Sequence, residues 1–119
     1  MILFVEGGDF AINQSINLDD NLGFFAAFIS GDISVSSTLT SIGPTIEGIY
    51  LTDGSFDSGL GNVRFHVRGS VVSHGDTILA RNLSNNDNPA EFFEFAPDQI
   101  LLFPEKLGYR GQRWVEIDP

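Results

Sequence analysis

Four short stretches of the chain follow one pattern: an aromatic residue, an apolar residue, a polar residue, Gly, then Asp or Ser, then an apolar residue. The anchoring glycines are Gly8, Gly31, Gly54 and Gly69, which are spaced by 23, 23 and 15 residues. A strand-like unit that recurs at a nearly fixed interval is typical of stacked coils. The repeat therefore predicts an all-β fold: a short, single-stranded, right-handed β-helix (solenoid) of about four coils.

The repeat also predicts where its residues lie. Each glycine would occupy a corner of a coil, where a tight bend is needed. The residues that follow the glycines would stack as an inner apolar ladder, namely Phe10, Ile33, Phe56 and Val71. The aromatic residues that open the copies would form a second ladder, namely Phe4, Phe28, Tyr50 and Phe65. The shorter third interval predicts that the corner loop shrinks there to residues 59–61.

The last third of the chain has a different pattern. Asn88 and Pro89 are typical of a helix start and predict a short helix over residues 90–95. A second short helix is predicted over residues 99–102, and a final strand over residues 113–117. We interpret residues 1–83 as the solenoid coils and residues 84–119 as a small mixed C-terminal cap, together one structural domain, because an open last coil would expose unpaired backbone.

Charge and composition exclude several classes of partner. Sixteen acidic and six basic residues give a net charge of -10, which disfavours nucleic-acid binding and anionic membrane surfaces. The apolar run 22–29 is too short to cross a bilayer, so no membrane insertion is expected. The chain has no Cys and therefore no thiolate metal site or cysteine nucleophile. Its first residues lack the pattern of a signal peptide, and the repeat begins almost at Met1, so we expect an upstream part of the polypeptide.

The tail carries a resemblance to a known group of proteins. The residues that carry it are Pro89-Ala90-Glu91, Pro97-Asp98, Phe103-Pro104, Leu107-Gly108, Trp114-Val115-Glu116 and Pro119. They resemble the C-terminal ends of large, uncharacterised, predicted surface or pilus-associated proteins from bacteria of the candidate phyla radiation. The resemblance covers about half of the chain. It implies the end of a secreted or cell-surface β-solenoid and brings no catalytic residues with it.

Three aspartates are candidates for calcium binding, because Asp9, Asp32 and Asp53 lie in or beside the glycine anchors and stacked carboxylates can bind Ca²⁺ between coils. The preferred interpretation is that they bond backbone N–H groups at the corners. No cofactor is then needed. His66 and His74 could ligate zinc, but are expected to be ordinary polar residues.

Other candidate residues have simple structural interpretations too. Tyr109 and Trp114 could form a platform for a sugar ring, or could pack within the cap. The arginines at positions 64, 68, 81, 110 and 113 are expected to pair with acids. Ser73, His74 and Asp76 have the residue types of a hydrolase triad, but adjacency in sequence is not triad geometry.

These observations predict a non-enzymatic protein with an extracellular or cell-surface location. We expect a structural or adhesive domain, the capped end of a larger surface or filament protein. Its partners would be the upstream part of its own polypeptide or neighbouring subunits, with a surface glycan or protein as a further ligand. The alternative is a carbohydrate-binding module with a β-sandwich fold.

Overall fold

The computed structural model of the chain describes residues 1–19 and 22–105. Short apolar runs rich in Ile, Val and Phe form strands, and Gly, Asp and Ser separate them. In chain order the elements are β1 (Ile2–Val5), β2 (Phe10–Ile12), β3 (Ala26–Ile29), β4 (Ile33–Val35), β5 (Ile46–Thr52), β6 (Phe56–Asp57), β7 (Phe65–Ser73), β8 (Thr77–Ile78), β9 (Glu91–Glu94) and α1 (Pro97–Leu101).

The strands form two parallel sheets. The odd-numbered strands make a five-stranded sheet in the order β1-β3-β5-β7-β9, and the even-numbered strands make a four-stranded sheet in the order β2-β4-β6-β8. Each turn of the chain thus adds one strand to each sheet. The protein is a β-solenoid of about four coils, which confirms the predicted architecture. The alternative sandwich fold was wrong, because every described strand pair is parallel and a sandwich is built of antiparallel sheets.

The core lies between the two sheets. Phe10 pairs with Ile33, and Ile33 with Phe56, so three members of the predicted inner ladder are in register. Ile33, Phe56 and Phe65 are fully buried. Tyr50 is also fully buried, and its hydroxyl donates to the Glu47 carbonyl at 2.9 Å. Burial is the main reason that the pKa of the Tyr50 hydroxyl is raised above its usual value.

The fourth copy of the repeat lies six residues later than the sequence predicted. Gly69 and Val71 are inside β7, where Val71 pairs with Tyr50. The corner glycine of the fourth coil is Gly75, whose N–H donates to the Gly54 carbonyl at 2.9 Å. The spacing in the neighbouring column falls from 23 to 21 residues. The corner loop therefore shortens by two residues, and the predicted drop to 15 was wrong.

Gly69 has a different physical reason to be glycine. It pairs with Gly48 in the larger sheet, and both residues have positive φ, 129° at Gly48 and 142° at Gly69. A Cβ atom on Gly69 would overlap the Gly48 carbonyl oxygen. The glycine thus permits close approach within a strand, and the residues after it imitate the corner motif only in sequence.

The second predicted ladder is only partly correct. Phe4 pairs with Phe28, and their rings stack with centroids 5.0 Å apart. The next member of this column is Leu51. Tyr50 lies one residue earlier and faces the core, so the aromatic residues that open the copies do not form one ladder. The column of Phe4, Phe28 and Leu51 lies on the outer face of the larger sheet.

The C-terminal third of the chain first adds one more strand to the larger sheet and then forms a short helix. The helix predicted over residues 90–95 was wrong, since Glu91–Glu94 form β9 and pair with Phe65–Arg68. The sheet of the coils therefore continues beyond residue 83. The second predicted helix exists as α1. Tyr109, Trp114 and the predicted strand 113–117 lie outside the described residues.

Candidate functional site

One corner of the solenoid carries a column of polar side chains that bond the backbone of the next coil. Asp9 Oδ1 accepts from the Asp32 N–H at 2.8 Å. Asp32 Oδ1 accepts from the Ser55 N–H at 2.7 Å, and Ser55 Oγ from the Asp76 N–H at 3.1 Å. We call these four residues the corner column. The side chains of Asp9, Asp32 and Ser55 each accept from a backbone N–H one coil further on, where the strands have ended, and Asp76 supplies the last of these N–H groups.

The glycines beside the corner column let the coils approach closely. The N–H groups of Gly31, Gly54 and Gly75 each donate to the carbonyl of the glycine one coil before, at 2.9, 3.2 and 2.9 Å. A Cβ atom on Gly31 or Gly54 would overlap the preceding aspartate side chain, and on Gly75 it would lie 2.8 Å from Ser55 Oγ. The Gly-Asp pair therefore works as one unit: the missing side chain makes room for the carboxylate that bonds the backbone.

Two of the three calcium candidates belong to the corner column. Asp9 and Asp32 bond backbone N–H groups, as the preferred interpretation predicted. Asp53 lies two residues before the Ser55 position, and its Oδ1 is 3.0 Å from His74 Nδ1. Among residues 1–19 and 22–105, no three His, Asp or Glu side chains converge into a group that could hold a metal ion. Calcium binding stays the alternative to this interpretation.

The two histidines contact different carboxylates. His66 Nε2 lies 3.0 Å from Glu94 Oε2, and the His66 ring packs against Phe92 with centroids 4.7 Å apart. His74 contacts Asp53 at the corner. The structure gives each histidine its own polar partner, which fits the interpretation that they are ordinary polar residues.

A charged cluster fixes α1 to the outer face of the larger sheet. Arg68 donates to both carboxylate oxygens of Asp98, at 3.1 and 2.6 Å. This bidentate pair lowers the pKa of the Asp98 carboxyl and raises that of the Arg68 guanidinium. Arg68 Nη1 also lies 3.5 Å from Glu47 Oε1. Next to Asp98, Gln99 is 1% exposed and its Nε2 donates to the Gly23 carbonyl at 2.8 Å.

A groove remains open on the same outer face. Phe4, Phe28 and Leu51 form its floor, Glu6 and Asp53 contribute to its rim, and its volume is about 270 Å³. Phe4 is 66% exposed. The groove thus offers an exposed aromatic ring beside an acidic rim.

Arg81 is a buried cation inside a corner of the solenoid. Its guanidinium donates to the main-chain carbonyls of four residues, at 2.7 to 3.2 Å: Ser36, Leu39, Ser58 and Val63. It also lies over the Phe65 ring at 5.1 Å. Burial lowers the pKa of the guanidinium, and nearby Glu91 opposes that shift. The expected pairing of arginines with acids was therefore incomplete here, because the guanidinium bonds backbone carbonyls.

The chain was compared with known proteins in three ways. No protein-family model matches it. No curated protein and no solved structure gives a significant match either. In the described ranges, no helix is long and apolar enough to cross a membrane.

Proposed function

We propose that the chain is a non-enzymatic structural or adhesive domain, the end of a larger cell-surface or filament assembly. The corner column is the observation that carries this proposal. Its acidic and hydroxyl side chains bond the backbone of neighbouring coils, so their chemistry serves the stacking of the rod. A geometric role for the chain follows from this use of its polar residues.

The first coil is built to receive another coil. In coils two to four, the glycine N–H and the N–H of the next residue bond the coil before. Gly8 and Asp9 occupy the same positions in the first coil, where no described residue stands in front of them. These donors and the edges of β1 and β2 suit a preceding coil, supplied by an upstream part of the polypeptide or by a neighbouring subunit.

The cellular location of the protein tests this proposal. An antibody raised against the chain should label intact cells of the producing organism as strongly as permeabilised cells. Electron microscopy of the gold-labelled surface should place the label on extended structures. Label that is seen only after permeabilisation would contradict the proposal.

The open groove favours carbohydrate binding as a second function, now without the sandwich fold. Sugar rings stack on exposed aromatic rings, and Phe4 offers one beside the acidic rim. A glycan array with the wild-type chain and the Phe4→Ala variant tests this. Binding that is equal in both, or absent from both, would exclude the groove as a glycan site.

A further inference from the structure

At each end of the solenoid, the outermost strand row of the larger sheet is only half filled by described residues. We call each half of such a row a half-row, and the unfilled half leaves a step at that end. At the last coil, β9 covers only Phe65–Arg68 of β7. No described residue pairs with the next part of that edge, Ser70–Ser73. At the first coil, β1 begins in the column of Ser70, since Ile2, Ala26, Ile49 and Ser70 follow one another in register. The first coil has no described residue in the columns that β9 occupies.

The steps match in register. Ile2–Val5 have the same length as Ser70–Ser73 and lie in the same four columns. In the other half-row, the column of Phe93 runs back through Val67 and Ile46 to Ile16 in the second coil. β9 of one molecule would therefore fill the missing half-row in front of Ile16 of another, while β1 of the second molecule covers Ser70–Ser73 of the first.

The backbone donors and acceptors point the right way for this joint. The Met1 and Val5 carbonyls accept from the N–H groups of Ala26 and Ser30 in the second coil. The alternate residues Ile2 and Phe4 therefore direct their N–H and C=O groups to the open side. The His74 N–H donates to the Thr52 carbonyl in β5. By the same alternation, the groups of Ser73 point away from β5, to the open side of β7.

The ends also carry apolar surface that continues buried columns. Phe93 follows Ile46 and Val67, which are fully buried, yet Phe93 is 42% exposed. Ile78 is 42% exposed at the edge of β8. A following coil would cover both, because Phe93 would meet Ile16 and the β8 edge would meet β2.

We infer that a second copy of this chain is the preceding coil, so that molecules stack head to tail through interlocking half-rows. This inference rests on the proposed structural function and names its partner. The last row of one molecule and the first row of the next become one row. Each molecule therefore adds four rows, and with strands about 4.8 Å apart the axial repeat is about 19 Å. Because such a contact does not close on itself, the product is a filament.

Gly8 offers a sharp test. A Cβ atom there meets only the Val5 side chain at 3.4 Å, whereas at Gly31 and Gly54 it would overlap the preceding coil. In a stack, Gly8 would face Gly75 of the preceding copy. The Gly8→Ala variant should keep its fold and lose association at the first coil. Gly43→Ala is the matched control, since nothing lies within 4 Å of a Cβ at Gly43.

The opposite end is blocked separately. The Ser73→Pro variant removes an N–H that points to the open side, and Ser73→Ala is its control for the lost hydroxyl. Each blocked variant keeps one working end. Gly8→Ala and Ser73→Pro should each be monomeric, and a mixture of the two should form a 1:1 dimer that grows no further. Circular dichroism spectra like that of the wild type show that each variant is folded.

The measurement is sedimentation velocity of the full chain over a wide concentration range, with electron microscopy of the largest species. We expect wild type and both controls to form oligomers that grow with concentration and with added salt, because salt screens the repulsion between chains of net charge -10. Filaments should show the repeat of about 19 Å.

A wild-type chain that stays monomeric up to millimolar concentration overturns the inference, as does an unchanged association of Gly8→Ala. If the monomer also protects the Ser73 amide from hydrogen exchange, this edge of β7 is already covered within one molecule. The antibody labelling of intact cells tests the proposed function separately. If the chain is monomeric but is still detected on the surface of intact cells, the stacking alone is overturned.

Discussion

Replacement of the buried Arg81 should destabilise the solenoid more than any change of a surface arginine. Arg81 is 5% exposed, and its guanidinium bonds carbonyls that belong to different coils. Arg81→Met keeps much of the side-chain volume and removes every donor. Arg81→Lys keeps the charge, but a single ammonium cannot reproduce the planar fork that reaches several carbonyls at once.

The size of the effect follows from what the change leaves behind. The Ser36 carbonyl keeps a second donor, the Leu39 N–H at 3.0 Å. The carbonyls of Leu39, Ser58 and Val63 lose the guanidinium donor. Glu91 keeps its bonds to the Arg81 main-chain N–H and to Ser58 Oγ, at 2.7 and 2.9 Å, so its carboxylate is not left without hydrogen bonds.

Each unmet buried carbonyl costs about 1–3 kcal/mol, and release of a buried cation returns part of its desolvation energy. Three such carbonyls would cost about 3–9 kcal/mol, and the returned desolvation energy reduces this sum, so we expect Arg81→Met to lower the free energy of unfolding by about 3–5 kcal/mol. At about 4 °C per kcal/mol for a domain of this size, the melting temperature should fall by about 12–20 °C. Arg81→Lys should lose about half as much.

Urea denaturation followed by far-ultraviolet circular dichroism measures these free energies, and thermal melts give the shift in melting temperature. Arg64→Met is the control, because Arg64 is exposed and stacks on the Phe92 ring at 5.2 Å. It should cost less than about 1 kcal/mol. If Arg81→Met is as stable as Arg64→Met, then the carbonyl cluster does not hold the coils together and the reasoning is refuted.

Further outcomes follow from the corner glycines and from the groups with shifted pKa. Gly54→Ala should cost about 2 kcal/mol or more in urea denaturation, since its Cβ would lie 2.6 Å from the Gly31 carbonyl, and Gly43→Ala should cost almost nothing. Because the pKa of Asp98 is lowered in the fold, its pair with Arg68 stabilises above the ordinary pKa of about 3.9 and loses that effect as pH falls further. The protection of α1 amides from hydrogen exchange, taken relative to the intrinsic rate at each pH, should therefore fall in acid, and Asp98→Asn should show the lower protection already at neutral pH. A chelator should leave the melting temperature unchanged, because the corner carboxylates bond backbone N–H groups; a drop would show that calcium is bound.

The first three coils could be predicted because their residues repeat at one spacing. Phe10, Ile33 and Phe56 stack in the order that the glycine anchors indicate. The fourth coil could not be placed in the same way, because it is two residues shorter and because Gly69 supplies a false match. A sequence pattern assigns glycine to a corner, but only the paired strands show that Gly69 is needed for close approach to Gly48.

β9 shows how tertiary contacts override a local pattern. Asn88 and Pro89 are typical of a helix start, and the short segment that follows would gain little from an isolated turn of helix. The open edge of β7 offers it a parallel partner instead, from Phe65 to Arg68. Non-local pairing of this kind depends on where the preceding coil ends, and no window of sequence contains that information.

The buried Arg81 and the stepped ends share one reason for being missed. An arginine in a polar stretch resembles any surface arginine until the loops of different coils converge on it. The missing half-rows likewise become visible only when the residues of all coils are aligned into columns. That alignment needs the register of every strand pair. The repeat thus predicts which residues stack, whereas the incomplete columns at Ile16 and Ser70–Ser73 show where the stack can continue. A filament with a repeat of about 19 Å would follow from those incomplete columns and not from the repeat itself.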